Sequence, residues 1–187
     1  NGAGVVVASA PEYEEALLTL DLADMPVMAD AKPHDEPDIA HIYCALHYGV
    51  RHFLDNIHME KVVIGISGGI DSAVAAALYA KIVKPENLLL INMPSVYNSE
   101  TTKGLSQQLA ENLGCQYMIL PIQQSVDHTI EQVEKTPMTL LSKGADTRLH
   151  VSSFVAENIQ ARDRSARVLA GAAAAFGGGF TCNANKA

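Results

Sequence analysis

The chain has 187 residues, 48% of them hydrophobic, which is enough to bury one sizeable core. Its formal net charge of −8, without any run of lysines or arginines, argues against nucleic acid or an anionic membrane as a partner. Its three cysteines, Cys44, Cys115 and Cys182, lie far apart without a C-x-x-C pair, which argues against a disulfide framework or a structural zinc site and favours a cytoplasmic protein.

The N-terminal part of the chain is predicted to be a fragment followed by a linker. Residues 4–9 are rich in valine and are predicted to form a short strand. Residues 24–38 combine prolines and acidic residues with little periodicity, which is typical of a linker. From Ile39 to Ile57 the apolar residues recur at intervals of three and four, which predicts an amphipathic helix. A domain boundary is therefore expected at residues 24–38.

Strands and helices are predicted to alternate along the rest of the chain. Short apolar runs predict buried strands at residues 61–66, 87–92 and 116–122, and a last strand that begins at Phe180. Helical periodicity predicts helices at residues 73–83, 100–113, 123–134 and 153–176, with a loop over 135–150. This alternation predicts an α/β fold with a doubly wound parallel sheet and helices on both faces.

The segment GISGGIDSAV, residues 65–74, lies where the first buried strand passes into a helix. Glycines allow the backbone to approach a ligand closely, and the first amides of the helix point outward, so the segment can bind a phosphate. It has no lysine and is therefore not a G-x-x-x-x-G-K-[ST] loop. A carboxylate beside phosphates needs a cation between them, which identifies Asp71 as a candidate Mg²⁺ ligand. In the alternative interpretation the glycines only make a turn and Asp71 caps the helix.

The SGGIDS residues resemble the signature of the PP-loop ATP pyrophosphatases, enzymes with an adenine nucleotide alpha hydrolase-like fold. The resemblance implies cleavage of ATP to AMP and pyrophosphate by adenylation of a carboxylate or carbonyl oxygen. NAD, GMP, asparagine and argininosuccinate synthetases and tRNA-thiolating enzymes share this signature. It therefore does not name the substrate.

Three further segments resemble glutamine-dependent NAD synthetases. They are NMPSVYNSETT at residues 92–102, ENIQARDR at 157–164 and GGGFTCNANKA at 177–187. Residues 2–22 resemble the tail of the nitrilase-type glutaminase domain that precedes the synthetase in long members of that family. The resemblance implies that residues 1–23 are a glutaminase tail, that 24–38 are a linker, and that 39–187 are a synthetase domain truncated at its C-terminus.

The resemblance also implies a set of site residues. Those expected to bind ATP are Gly65, Ile66, Ser67, Gly68, Gly69, Ile70, Asp71, Ser72 and Asn183. Asp71 would also hold Mg²⁺ as the catalytic residue, and Asn158 with Arg162, four apart on one helix face, would bind deamido-NAD. Arg164 is expected to project elsewhere, in an exposed ion pair with Glu157. Two positions depart from the family pattern, Val96 and Asn183.

The expected reaction is ATP-dependent amidation of deamido-NAD to NAD, with ammonia supplied by glutamine in the longer protein and with a homodimer or higher homo-oligomer as the assembly. One alternative is another PP-loop amidotransferase, such as an enzyme similar to GMP synthetase. A second alternative, from a different class, is a nucleotide-binding fragment without turnover. Dependence of ATP–pyrophosphate exchange on deamido-NAD and not on xanthosine monophosphate separates the two enzymes, and titration of ATP and Mg²⁺ with an assay of NAD formation tests the third hypothesis.

Overall fold

The computed structural model describes residues 6–21, 38–94 and 100–183, and its contacts divide the chain into two units, residues 1–53 and 54–187. One helix, α1 (Ile39–Asn56), contains the division between the units. The predicted linker lies outside the described residues except for Asp38, so the predicted domain boundaries stay a prediction.

In the first unit, residues 6–21 form no strand and make only a turn at residues 12–13. The strand predicted at residues 4–9 is therefore wrong for its described part, because valine-rich sequence forms a stable strand only beside a partner strand. Instead, aromatic contacts join this segment to α1. The Tyr13 ring lies 6.2 Å from the His41 ring and 6.0 Å from the Tyr48 ring, and Glu12 forms an ion pair with His41.

The second unit is built on a parallel sheet of four strands. They are β1 (Val62–Ile66), β2 (Leu88–Asn92), β3 (Gln116–Ile119) and β6 (Gly179–Phe180), in the spatial order β3-β2-β1-β6. β1 pairs in register from Val62 with Leu88 to Ile66 with Asn92, and on its other side Val62 pairs with Gly179. Every residue of β2 is buried, which is why its sequence is a continuous apolar run and does not alternate.

Helices cover both faces of this sheet, and the predicted doubly wound α/β architecture is confirmed. On one face, alternate strand residues pack with apolar residues of α4 (Gln123–Lys135) and of the last helical stretch; this core contains Val63, Leu89, Ile91, Met93, Ile122, Val126, Val168, Leu169 and Ala173. α2 (Ile70–Tyr79) packs against β1, and α3 (Glu100–Leu113) packs against β2 and β3, each with a buried alanine, Ala76 or Ala110.

A short hairpin lies inside the segment that was predicted to be a loop. β4 (Met138–Leu140) pairs antiparallel with β5 (Ala145–Thr147), and Gly144 has a φ of +60° in the connection. All three residues of β4 are exposed, so this strand has no buried apolar side to give a periodic pattern. For this reason the sequence did not predict it.

The helix predicted at residues 153–176 consists of three successive segments. α5 (Ser153–Arg162) begins at Ser152, whose hydroxyl accepts a hydrogen bond from the Val155 amide. Residues Asp163–Leu169 are wound as a π-helix, and α6 (Ala170–Phe176) follows. π-helical turns add a residue to the helix and shift which side chains share a face.

Three glycines end this helix, and two of them have separate physical roles. Gly177 takes a left-handed conformation with a φ of +79°, and the amides of Gly177 and Gly178 donate to the carbonyls of Ala174 and Ala173. Such paired bonds satisfy the last carbonyls of a helix. A Cβ on Gly178 would lie 2.0 Å from the Lys61 carbonyl oxygen, so only glycine lets the turn after α6 come this close to the residue before β1.

Within residues 6–21, 38–94 and 100–183, no helix combines the length and the apolar character needed to cross a membrane.

Candidate active site

The signature loop connects β1 to α2 at the carboxyl edge of the sheet. Gly68 has a φ of +84°, a conformation that favours glycine strongly, and Gly69 precedes the helix in an extended conformation. The first hydrogen bond of α2 runs from the Ala73 amide to the Gly69 carbonyl at 3.2 Å. The amides before it have no partner within the helix, as a phosphate-binding loop requires.

Two serine hydroxyls hold this loop in shape. The Ser72 hydroxyl donates to the Gly69 carbonyl at 3.1 Å, and it accepts from the Ser67 amide at 3.3 Å and from the Ser67 hydroxyl at 3.2 Å. The Ser67 oxygen in turn accepts from the Gly69 amide at 3.2 Å. Ser72 is buried and uses its one proton and both lone pairs, whereas Ser67 is exposed. Of the two hydroxyls, that of Ser67 is the one open to a ligand.

Asp71 lies in the first turn of α2 with its side chain exposed. Among the described residues, no hydrogen bond or ion pair engages its carboxylate, and α2 has no side-chain cap. The alternative interpretation of Asp71 as a helix cap is therefore not supported. The part of the chain that the structure describes also contains no group of three or more His, Cys, Asp or Glu residues able to hold a metal. A single free carboxylate fits Mg²⁺, which is bound by one or two carboxylates together with substrate phosphates.

A cavity of about 450 Å³ lies between the ends of β1 and β6, and we call it the switch-point cavity. From β1 the chain moves to β2 and β3 on one side, whereas β6 pairs on the other side of β1, so the strand order reverses here. Ligands of open α/β sheets bind at such a reversal. The cavity is lined by Gly65, Ile66, Ser67, Met93, Ala161, Arg164, Ser165, Leu169, Phe180, Thr181, Cys182 and Asn183.

Gly65 keeps the floor of the switch-point cavity open. A Cβ there would lie 2.9 Å from the Met93 methyl group and 3.3 Å from a Leu169 methyl group. Both contacts are tighter than ordinary van der Waals distances. A second cavity, of about 410 Å³, lies between the loop with the start of α2 and the α3 face that carries Leu105 and Leu109; its lining on the loop side is Gly68, Gly69, Ile70, Ser72 and Ala73. Asp71 lines neither cavity.

Arg164 is the cation that lines the switch-point cavity; it projects away from Asn158 and Arg162 as predicted, but not into an exposed ion pair. It is half-buried, and within residues 6–21, 38–94 and 100–183 no hydrogen bond or ion pair engages its guanidinium, so the expected pair with Glu157 does not form. Burial lowers the pKa of Arg164, although a guanidinium stays protonated at any physiological pH. A partly desolvated cation beside a phosphate-binding loop is suited to an anion.

Asn158 and Arg162 come together as predicted, but on an exposed side of α5. The Arg162 guanidinium donates to the Asn158 carbonyl at 3.1 Å and to its side-chain oxygen at 3.0 Å. The Asn158 amide group donates to the Phe154 carbonyl at 2.9 Å. Neither residue lines the two cavities beside the loop, so their assignment to the substrate stays a prediction.

The residues that follow β6, Thr181, Cys182 and Asn183, also line the switch-point cavity. Asn183 lines the switch-point cavity beside Cys182, on the same side of the sheet as Ser67. The Thr181 hydroxyl is buried without a hydrogen-bond partner among the described residues, and the sequence analysis did not single it out. The departure at Val96 lies outside the described residues.

The family model described as NAD synthase matches residues 42–175. A glutamine-dependent NAD(+) synthetase of Aquifex aeolicus is 32% identical over 136 residues, which make up 73% of this chain and 22% of that protein. An NH3-dependent NAD(+) synthetase of Campylobacter jejuni subsp. doylei is 38% identical over 89 residues, 48% of this chain and 35% of that protein. The chain thus spans about a fifth to a third of these relatives.

The fold is also similar to that of a solved NAD+ synthetase. The structure of a glutamine-dependent NAD+ synthetase from Acinetobacter baumannii in complex with adenosine diphosphate superposes with a TM-score of 0.68 at 25% sequence identity. The superposition covers 86% of this chain and 28% of that one. Similarity in sequence and in fold therefore points to the same group of proteins.

Proposed function

The chain belongs to the NAD synthase family, and on that premise we propose that the intact protein converts deamido-NAD to NAD by ATP-dependent amidation. The observation that supports this proposal is the switch-point cavity, where the start of the signature loop and the half-buried Arg164 meet at the point where the strand order reverses. Asp71 lies outside this cavity, in the first turn of α2, with its carboxylate unpaired among the described residues. This arrangement suits a nucleotide with its phosphates on the loop. The reaction would release AMP and pyrophosphate.

The proposed reaction has two steps. In the first, an oxygen of the nicotinate carboxylate forms a bond to the α-phosphorus of ATP, and the bond from that phosphorus to the pyrophosphate oxygen breaks. In the second, ammonia attacks the carboxyl carbon of the acyl adenylate, AMP leaves with the electron pair of the broken C–O bond, and the nitrogen loses a proton. Glutamine would supply the ammonia in the longer protein.

This chain would contribute orientation and charge stabilisation. The loop amides would bind phosphate oxygens, the Ser67 hydroxyl would turn its one proton from Ser72 to a phosphate oxygen, and Asn183 would contact ATP from the other edge of the switch-point cavity. Asp71 would hold Mg²⁺, which neutralises phosphate charge when it is bound. Arg164 would face the polyphosphate from the π-helical segment. Such preorganised positive groups stabilise the charge that develops on a departing pyrophosphate.

The experiment that tests this proposal is ATP–pyrophosphate exchange by the intact protein with Mg²⁺ and labelled pyrophosphate. We expect exchange that depends on deamido-NAD, because pyrophosphate can return only while the acyl adenylate is bound. Exchange supported by xanthosine monophosphate instead would assign the site to an enzyme similar to GMP synthetase. Absence of exchange with either nucleotide, with ATP still bound, would indicate a binding fragment without turnover.

We further propose that Asn158 and Arg162 bind deamido-NAD, and Arg162→Lys tests this directly. The arginine fork offers paired donors to substrate oxygens that a single ammonium group does not reproduce. We expect the use of deamido-NAD to weaken by about 1.5–3 kcal/mol, the usual contribution of a hydrogen bond to a charged group, while the Michaelis constant for ATP barely changes. The measurement is the pair of Michaelis constants in wild type and variant.

The control for this variant is Arg148→Lys, which changes an exposed arginine outside both cavities. It should leave both Michaelis constants unchanged. Equal effects of Arg162→Lys on the two substrates, or no effect on either, would remove Arg162 from the substrate site.

A further inference from the structure

The last helical stretch breaks its regular spacing inside the π-helical segment. The buried or partly buried side chains that follow one another along its inner side are Ile159, Asp163, Val168, Ala172 and Phe176, at intervals of four, five, four and four residues. The interval of five coincides with a hydrogen bond from the Ala170 amide to the Ser165 carbonyl, five residues earlier, which is typical of π winding. The segment therefore contains one residue more than a regular α-helix would have between these positions.

The extra residue changes which side chain follows Asp163 on the inner side. In a regular α-helix that side chain would be four positions later, at Arg167. Arg167 is instead 47% exposed, whereas Val168 is only 3% exposed. The interval of five lets Val168 and Leu169 enter the core without turning the helix before them by about 100°, the rotation of one α-helical residue.

The place of Arg164 depends on the same interval. Arg164 lines the switch-point cavity together with Leu169, which comes five residues later and also belongs to the core. Most residues of this stretch that pack in that core lie at or after Val168, so the loss of one residue from the segment would move the residues before it. Each would take the place of its successor, and the Asp163 carboxylate would take the place of the Arg164 guanidinium. A negative charge would then face the cavity.

A hydrogen-bonded cluster at α4 holds Asp163 where it is. Arg167 donates two hydrogen bonds of 2.7 Å to the Asp163 carboxylate, and the side chain of Asp163 is only 8% exposed. The Ser125 hydroxyl, near the start of α4, lies 2.9 Å from the same carboxylate and accepts from Arg167 at 2.8 Å. The charge of Asp163 is thus satisfied beside α4, and none of these three residues lines the cavity.

We infer that the extra residue of the π-helical segment is a positioning device, which places Arg164 instead of Asp163 at the switch-point cavity while Val168 and Leu169 stay in the core. The inference rests on the proposed function for the identity of the anion, the polyphosphate of ATP. It goes beyond that function because it assigns the sign of the charge at the cavity to the winding of the helix.

Deletion of the exposed Ala166 tests the inference, because it removes one residue between Arg164 and Val168. We expect the dissociation constant of Mg·pyrophosphate to rise at least about tenfold, since the anion loses a hydrogen bond to a charged group and meets a like charge. Adding Asp163→Arg to the deletion puts a guanidinium back in the place of Arg164. This double variant should bind Mg·pyrophosphate to within about threefold of wild type.

The matched control is Ala166→Ser, which changes the same exposed position and keeps the number of residues. It should bind as wild type does. A deletion variant that binds Mg·pyrophosphate like wild type would overturn the inference. So would a weakened deletion variant that Asp163→Arg does not restore, because a second charge does not repair a general loss of structure.

Deletion of Ser165 shifts the same preceding residues and is the second variant if the first does not fold. Circular dichroism and urea unfolding show whether each variant is folded. If neither deletion gives a folded protein, the extra residue serves the fold and the inference is wrong.

The measurement is titration calorimetry of the intact protein with Mg·pyrophosphate, beside an assay of NAD formation by wild type. Wild type that makes no NAD, with variants that show the expected binding pattern, would contradict the proposed function and support the inference. Wild type that makes NAD, with a deletion variant that binds like wild type, would do the reverse. Wild type that does not bind Mg·pyrophosphate would overturn the inference.

Discussion

Replacing Asp71 with asparagine is expected to lower the pyrophosphate-forming activity of the intact protein at least about a hundredfold. This is about the rate loss expected when one charged group that stabilises the transition state is removed. The substitution keeps the size of the side chain and removes the charge that would hold Mg²⁺ beside the phosphates. Because the carboxylate is exposed and engages no described residue, the stability of the fold should not change. The measurement is the rate of pyrophosphate release at several Mg²⁺ concentrations.

The matched control is Asp127→Asn, an exposed carboxylate on α4 that lies outside the switch-point cavity. It should keep the wild-type rate. Full activity of Asp71→Asn at saturating Mg²⁺ would remove the proposed metal role, and reduced activity with a matching loss of stability would assign Asp71 to the fold instead.

Gly178→Ala is expected to lower the free energy of unfolding of the second unit by about 3 kcal/mol or more. The added methyl group would clash with backbone atoms, which cannot move away without distorting the fold. The new methyl group would lie 2.0 Å from the Lys61 carbonyl oxygen and 2.6 Å from the Lys61 carbonyl carbon. Neither atom belongs to a side chain that can rotate away. Urea unfolding of the variant measures the loss.

Gly171→Ala provides the control for this second prediction. A Cβ at Gly171, in α6, has nothing within 4 Å, and alanine favours a helix over glycine by about 0.5–1 kcal/mol, so this variant should be slightly more stable than wild type. If Gly178→Ala unfolds at the same urea concentration as wild type, the close contact between Gly178 and Lys61 is wrong.

Features that depend on residues close together in the chain could be predicted from the sequence. β1, the signature loop and α2 follow one another directly, so a buried run, two glycines and a helix predict the loop. α2 begins at Ile70, three residues before the predicted start, so Asp71 lies in its first turn and not on the loop. The parallel sheet was predictable for the same reason, because buried parallel strands have continuous apolar sequences. Asn158 and Arg162 were correctly placed together because the spacing of α5 is regular at that point.

Features that depend on distant contacts or on irregular winding were not predictable. The exposed ion pair expected for Arg164 does not form, and its place in the switch-point cavity depends on β1 and β6, which other parts of the chain supply. The π-helical winding of Asp163–Leu169 was not predicted either. The role of Gly178 depends on Lys61, far away in the chain, and the free Thr181 hydroxyl depends on how β6 ends beside β1. A local pattern contains none of these relations.

The most direct test of the account is the product that the intact protein makes from ATP, Mg²⁺, deamido-NAD and isotopically labelled ammonium, identified by mass spectrometry. The account predicts NAD that carries the labelled nitrogen in its carboxamide, with one AMP and one pyrophosphate formed for each NAD. Formation of ADP and phosphate in place of AMP and pyrophosphate, or deamido-NAD recovered unchanged while ATP is bound, would contradict it.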